Sequence, residues 1–210
     1  LLMSMRRFLI VLASALALSL SLTACDQAQK PRVSFNNTDV TGLDYAKGFT
    51  LTDQNGQRRS LEDFRGKLVF VFFGFTHCPD VCPTTLAEMA GIMKALGPEA
   101  ERLQVVFITL DPERDTPELL ASFVPAFHPS FLGLTGDQAT IDKVAKDFKV
   151  FAQKVPGKDG KSYTIDHTAG SYVFDALGRI RLFVRHGQPD DALLKRSEEH
   201  TSELQSHLNL

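Results

Sequence analysis

Neither sign of charge dominates this chain of 210 residues: 23 Lys and Arg face 25 Asp and Glu, a formal net charge of −2. The basic patch that nucleic-acid binding needs is absent, so no nucleic-acid partner is expected. Tryptophan is missing, and the core must be filled by other side chains; 16 phenylalanines meet that need. No internal repeat, heptad pattern or low-complexity block occurs, which excludes solenoid and coiled-coil architectures. The apolar stretch from Phe8 to Leu22 is shorter than the roughly 20 residues that span a membrane. Cysteine is scarce, with three: Cys25, Cys78 and Cys82.

The two ends stand apart from the rest. Leu1 and Leu2 precede Met3 and Met5, either of which is the expected start. Arg6 and Arg7 lead into the apolar stretch, which closes on Leu22-Thr23-Ala24-Cys25, the charged, apolar, small-residue order of an export signal. A cysteine directly after such a triplet resembles the bacterial lipoprotein signal, in which it becomes the acylated first residue. Asp26 resembles the mark that keeps such lipoproteins in the inner membrane. The expectations are a signal peptide over 1–24, a lipid-anchored tether over 25–47 beginning at Cys25, and one folded domain over 48–195. The location expected is the bacterial cell envelope, at the inner membrane and facing the periplasm. From Arg196 no apolar face continues, and 196–210 reads as a non-native tail in which His200 and His207 carry no functional weight.

With Cys25 assigned to lipid, two thiols remain. They follow the run Leu68 to Phe73, whose density of β-branched and aromatic residues predicts a strand buried on both faces. Open α/β sheets place their chemistry at such a strand exit. Four residues apart at a helix start, Cys78 and Cys82 face one side, with Cα atoms roughly 6 Å apart. That spacing suits a disulfide or two thiolates on one soft metal ion, and the residues alone leave both open. A bridge over so small a loop restrains the unfolded chain little, so the pair points to redox or metal chemistry rather than stability. The helix N-terminus is expected to lower the thiol pKa, with Asp80 working against it.

The remaining pattern predicts an α/β fold. Asp53-Gln54-Asn55-Gly56 between 48–52 and 58–61 is a hairpin signal. Pro83 opens a helix whose Leu86, Met89, Ala90, Met93 and Leu96 repeat at helical spacing. A second buried strand covers 103–110; Thr116 and Pro117 start a helix, and a short strand at 131–134 precedes a helix over 137–147. Residues 154–162 read as a loop or hairpin tip, strands at 170–174 and 179–184 close the domain, and a last helix begins near Asp190. Strand, helix, strand, helix and closing hairpin is the thioredoxin-like order: a central mixed sheet flanked by helices, with the Asn-Gly hairpin added at the N-terminal side.

In that order the loop holding Thr164-Ile165-Asp166-His167-Thr168 returns beside the end of the first central strand, where an imidazole could meet the thiols, although a loop histidine taken alone reads as surface. His77 reads as a pKa tuner or packing residue, because neighbouring side chains in extended chain diverge. His128 and His186 read as structural. Gly74-Phe75-Thr76-His77-Cys78-Pro79-Asp80-Val81-Cys82-Pro83, then Asp111-Pro112-Glu113-Arg114-Asp115-Thr116, then Leu134-Thr135-Gly136, then Asp166-His167-Thr168 resembles the SCO/SenC family in order and spacing, over about Phe49 to Gln188. The resemblance implies a thioredoxin-like copper chaperone for the dinuclear copper centre of cytochrome c oxidase. It implies Cys78, Cys82 and His167 as ligands of one copper per chain, Cu(I) or Cu(II). Partners implied are the copper-centre subunit of the oxidase, a copper donor protein and a thiol reductant, with the membrane reached through the lipid anchor. Asp80, Asp111 and Asp166 are candidates for supporting the ligands. The rival readings are a thiol–disulfide oxidoreductase working through Cys78 and Cys82, and a redox or copper sensor.

Overall fold

The structure, a computed structural model, describes residues 38–187. The expectations for 1–24, for Cys25, for the helix near Asp190 and for 196–210 lie outside these residues. The first central strand, β4 (Leu68–Gly74), is buried along its whole length. Alternate residues point to opposite faces of a strand. Val69, Val71 and Phe73 therefore enter one apolar layer, while Leu68, Phe70 and Phe72 enter another.

Around β4 the sheet grows in both directions. In chain order its strands are β1 (Thr38–Asp39), β2 (Thr50–Asp53), β3 (Arg58–Ser60), β4, β5 (Leu103–Thr109), β6 (Leu132–Thr135), β9 (Gly170–Phe174) and β10 (Ile180–Arg185). Across the sheet they lie β1-β10-β9-β4-β5-β6-β2-β3. β4, β5 and β6 run parallel, and the remaining pairs are antiparallel. Helices α1 (Val81–Leu96) and α2 (Pro117–Phe123) pack on one face through Leu86, Met89, Ile92 and Leu120. Helix α3 (Gln138–Asp147) covers the other through Ile141, Val144 and Ala145. This is the thioredoxin-like order that the sequence predicts. The added hairpin is also there, and because β2 pairs with β6 it extends the main sheet.

Helix starts follow local chemistry. Thr116 Oγ1 accepts a bond from the Leu119 amide at 3.3 Å, and an Asp137 carboxylate oxygen accepts one from the Thr140 amide at 2.7 Å. Both occupy the residue before the first helical turn, where short polar side chains satisfy otherwise orphaned amides.

Two expectations need correction. The fold begins before residue 48: β1 pairs with β10, and Val40 and Ala46 are buried in the core, so 38–46 are not free tether. Short segments with few apolar residues give little sign of such docking. The second concerns 154–162: 154–156 belong to a strand, and only 157–162 form the tip of a hairpin longer than expected. Strands β7 (Ala152–Pro156) and β8 (Tyr163–His167) form a separate two-stranded sheet, and His167 ends β8 instead of sitting in a loop. β7 is exposed throughout, so it lacks the apolar alternation by which strands are recognised.

Candidate metal centre

The chain leaves β4 at Gly74 and turns at once, the Cys78 amide donating to the Phe75 carbonyl at 3.1 Å. Asp80 stands just before α1, which puts Cys82 in its first turn and Cys78 just ahead of it. The Cys82 amide points back at the Cys78 sulfur, 3.4 Å away. Cys82 is wholly buried among the α1-side core residues. Cys78 is only half-buried and packs against both apolar layers. Both are free thiols.

His167 arrives from the other direction. Its register partner is Ala152, and the segment behind it is pinned by Thr168, whose amide donates to the Phe151 carbonyl and whose hydroxyl accepts from the Phe151 amide, each at 3.0 Å. The ring stands edge-on to buried Phe75, with centroids 6.0 Å apart. Its Nδ1 lies 3.1 Å from the Thr168 carbonyl oxygen. A carbonyl only accepts, so Nδ1 carries the hydrogen and Nε2 keeps the lone pair. Burial lowers the imidazole pKa below the ordinary histidine value, against smaller opposing effects of Thr168 and Asp166, and so favours the neutral ring that binds metals.

One ligand atom from each of Cys78, Cys82 and His167 lies within 4.8 Å of the other two. Metal bonds of about 2.0–2.3 Å bring donors on one ion somewhat closer than this, within the reach of side-chain rotation. Two sulfurs and one imidazole are a soft donor set with room for a fourth ligand.

The supporting acids fall differently. Asp80 is exposed and accepts a long bond from Thr84 Oγ1 at 3.4 Å. Asp166 lies on the exposed side of β8, and the carbonyl of Thr168, not Asp166, fixes the His167 ring. Asp111 is buried and binds Arg114 and the Tyr163 hydroxyl, so it reaches the strand that carries His167. Among the other histidines, His77 is exposed and bonds Thr76 at 3.0 Å, His128 bonds Ser130 at 2.9 Å, and His186 meets Thr85 at 3.2 Å.

The expected lowering of the thiol pKa does not hold for Cys82. Burial pushes it up, helped by the neighbouring Cys78, and outweighs the backbone bond at Phe75 that pulls it down. A sealed apolar site penalises a bare thiolate more than a helix end favours it.

A profile of the SCO1/SenC family matches residues 38–202. The chain belongs to the SCO1/SenC family. This SCO1/SenC protein is 39% identical over 187 residues to an SCO2-like protein of Rickettsia felis, which covers 88% of this chain and 90% of that one. Bradyrhizobium japonicum ScoI, solved with copper bound, is 41% identical with a TM-score of 0.67, over 73% of this chain and 97% of that one. Apo Sco1 of Thermus thermophilus, solved in solution, is 36% identical with a TM-score of 0.70, over 81% and 99%.

Two supporting residues of this SCO1/SenC site were not legible. Asp115 is wholly buried and accepts from the Thr76 amide at 2.9 Å, the Thr76 hydroxyl at 2.6 Å and the Thr109 hydroxyl at 2.6 Å, which ties the cysteine loop to the end of β5. In a charged, proline-flanked stretch nothing marks an acid as buried. Gly74 is the other. A Cβ there would stand 2.8 Å from the Cys82 sulfur and 2.9 Å from the Phe107 ring. Gly74→Ala is therefore expected to destabilise the fold by about 1–3 kcal/mol through overpacking. Urea melts of the reduced protein check this; an unchanged midpoint would mean that the sulfur has room to yield.

Proposed function

We propose that this SCO1/SenC protein is a metallochaperone that carries copper, one ion per chain, to the dinuclear copper centre of cytochrome c oxidase. The observation that carries the reading is the convergence of Cys78, Cys82 and His167, drawn from two separate parts of the fold. Thiolates are soft donors that favour Cu(I), while imidazole also suits Cu(II), so this set serves both states. Copper is cargo here. Three protein ligands leave a side open for an incoming ligand of the acceptor, as transfer by exchange requires, whereas a closed four-ligand site suits storage or structure. The proximity to copper-bound ScoI at 41% identity supports copper as the ion.

In this reading a copper donor loads the reduced protein and a thiol reductant keeps it reduced. The signal-like stretch 1–24 followed directly by Cys25 supports a lipid anchor at the bacterial inner membrane, with the domain facing the periplasm. Among the described residues no helix is long and apolar enough to cross a membrane. A half-buried Cys78 beside a sealed Cys82 also favours a second reading, thiol–disulfide exchange on exported proteins, with Cys78 as the sulfur that meets the target.

The test is transfer. Reduced protein loaded with one copper is mixed with the metal-free copper-centre domain of the oxidase subunit, and copper in each is measured after separation. Copper is expected to move to the acceptor. No movement of copper to the acceptor, together with reduction of an acceptor disulfide by the metal-free reduced protein, would establish the exchange reading instead.

A further inference from the structure

The strands that carry His167 pair only with each other among the described residues; the main sheet resumes at Gly170 of β9 and anchors the chain after His167, but it does not pair with the hairpin itself. Ile165 anchors the hairpin in the core, but an apolar plug fixes depth better than orientation. The specific contacts come from the segment 111–115, which follows β5.

At one end of that segment Asp115 grips Thr76, two residues before Cys78. At the other, the Tyr163 hydroxyl donates to Asp111 at 2.8 Å, and Arg114 pairs through Nε with the second oxygen of the same buried carboxylate. Arg114 Nη1 also donates to the Tyr163 carbonyl at 3.0 Å. Its guanidinium lies over the Tyr163 ring, 3.7 Å from the centroid, and 5.9 Å from that of Phe75, the ring against which His167 stands. Nη2 is buried without a hydrogen-bond partner, so the flat face holds this group as much as its bonds do. Outside, Lys154 pairs with Glu113 at 2.7 Å and covers the same tyrosine ring at 4.7 Å. One short segment thus holds both the cysteine loop and the histidine strand.

We infer that residues 111–115 are a bracket that sets the separation of the imidazole from the two sulfurs, with Arg114 and Tyr163 as its positioning residues. The inference rests on the copper reading and gives it a built geometry. Supporting groups of this kind typically change metal affinity about 10–100-fold when lost.

The experiment uses the reduced protein and measures Cu(II) and Cu(I) affinities by chelator competition, with the Cu(II) resonance spectrum as signature. Arg114→Ala is expected to weaken Cu(II) about 10–100-fold and to reduce nitrogen coupling in the spectrum, with Cu(I) affinity kept. Tyr163→Phe removes only the hydroxyl given to Asp111, is the milder change for folding, and is expected to lose less in the same direction. Adding Arg114→Ala to His167→Ala is expected to cost no further Cu(II) affinity, because both act on one ligand. Additive losses, or equal losses of Cu(I) and Cu(II), would reduce Arg114 to a general stabiliser and overturn the bracket. A loss in His167→Ala with none in Arg114→Ala overturns the bracket alone; no loss in His167→Ala removes the imidazole from the site and the bracket with it, and no copper bound by the unmutated reduced protein removes the copper reading itself.

Discussion

Replacing His167 with alanine is expected to weaken Cu(II) binding by more than the roughly 10–100-fold that losing a supporting group costs, and to leave most of the Cu(I) affinity intact. The reason lies in what remains. Cys78 and Cys82 still offer two sulfurs, a good pair for a soft monovalent ion, whereas the harder divalent ion loses its one nitrogen donor. The substitution is also gentle on the fold: the ring is only partly buried at the end of an outlying strand, and the hydrogen bonds that close this end of the hairpin belong to Thr168. Competition titrations against chelators of known strength, in each oxidation state, measure the two affinities. Unchanged Cu(II) affinity would remove His167 from the site.

Oxidation is expected to abolish copper uptake, from one ion per reduced chain to close to none. With a small-molecule disulfide as oxidant, the exposed side of Cys78 forms the mixed disulfide first, and the Cys82 sulfur then closes the internal bridge. The two thiols lose two electrons and two protons, and the small disulfide leaves as two thiols. Both sulfurs are then bonded to each other, and only the imidazole is left. Burial slows this closure, because it keeps the Cys82 proton in place, and copper must displace the same proton. Metal analysis after desalting, with and without reductant, reads the outcome; equal uptake by both forms would mean that copper does not bind through the sulfurs.

Much of this was legible because the relevant residues obey local rules. The run from Leu68 to Phe73 is too apolar for anything but a strand covered on both sides, and Thr116 and Asp137 mark helix starts by their own hydrogen bonds. The cysteine pair at the strand exit follows from the same pattern. What escaped depends on contacts between distant parts of the chain. β7 shows no alternation because nothing covers it, although Tyr163, Ile165 and His167 in β8 do alternate inward and offered a signal. Asp115 is buried by its three donors, two of them on a loop 39 residues away in sequence. The rise in the Cys82 pKa needs knowledge of burial that a spacing of four does not contain.

The unequal depth of the two sulfurs gives any handover at this site a fixed sequence of events. In the proposed delivery, an arriving donor atom would meet the ion from the flank of Cys78, and that bond would be the first to be traded. Cys82, buried in the wall, would let go last and take up a proton as it does so. The same asymmetry would slow entry and departure alike: a competitor small enough to reach Cys78 would still have to draw the ion outward before the deeper sulfur yields.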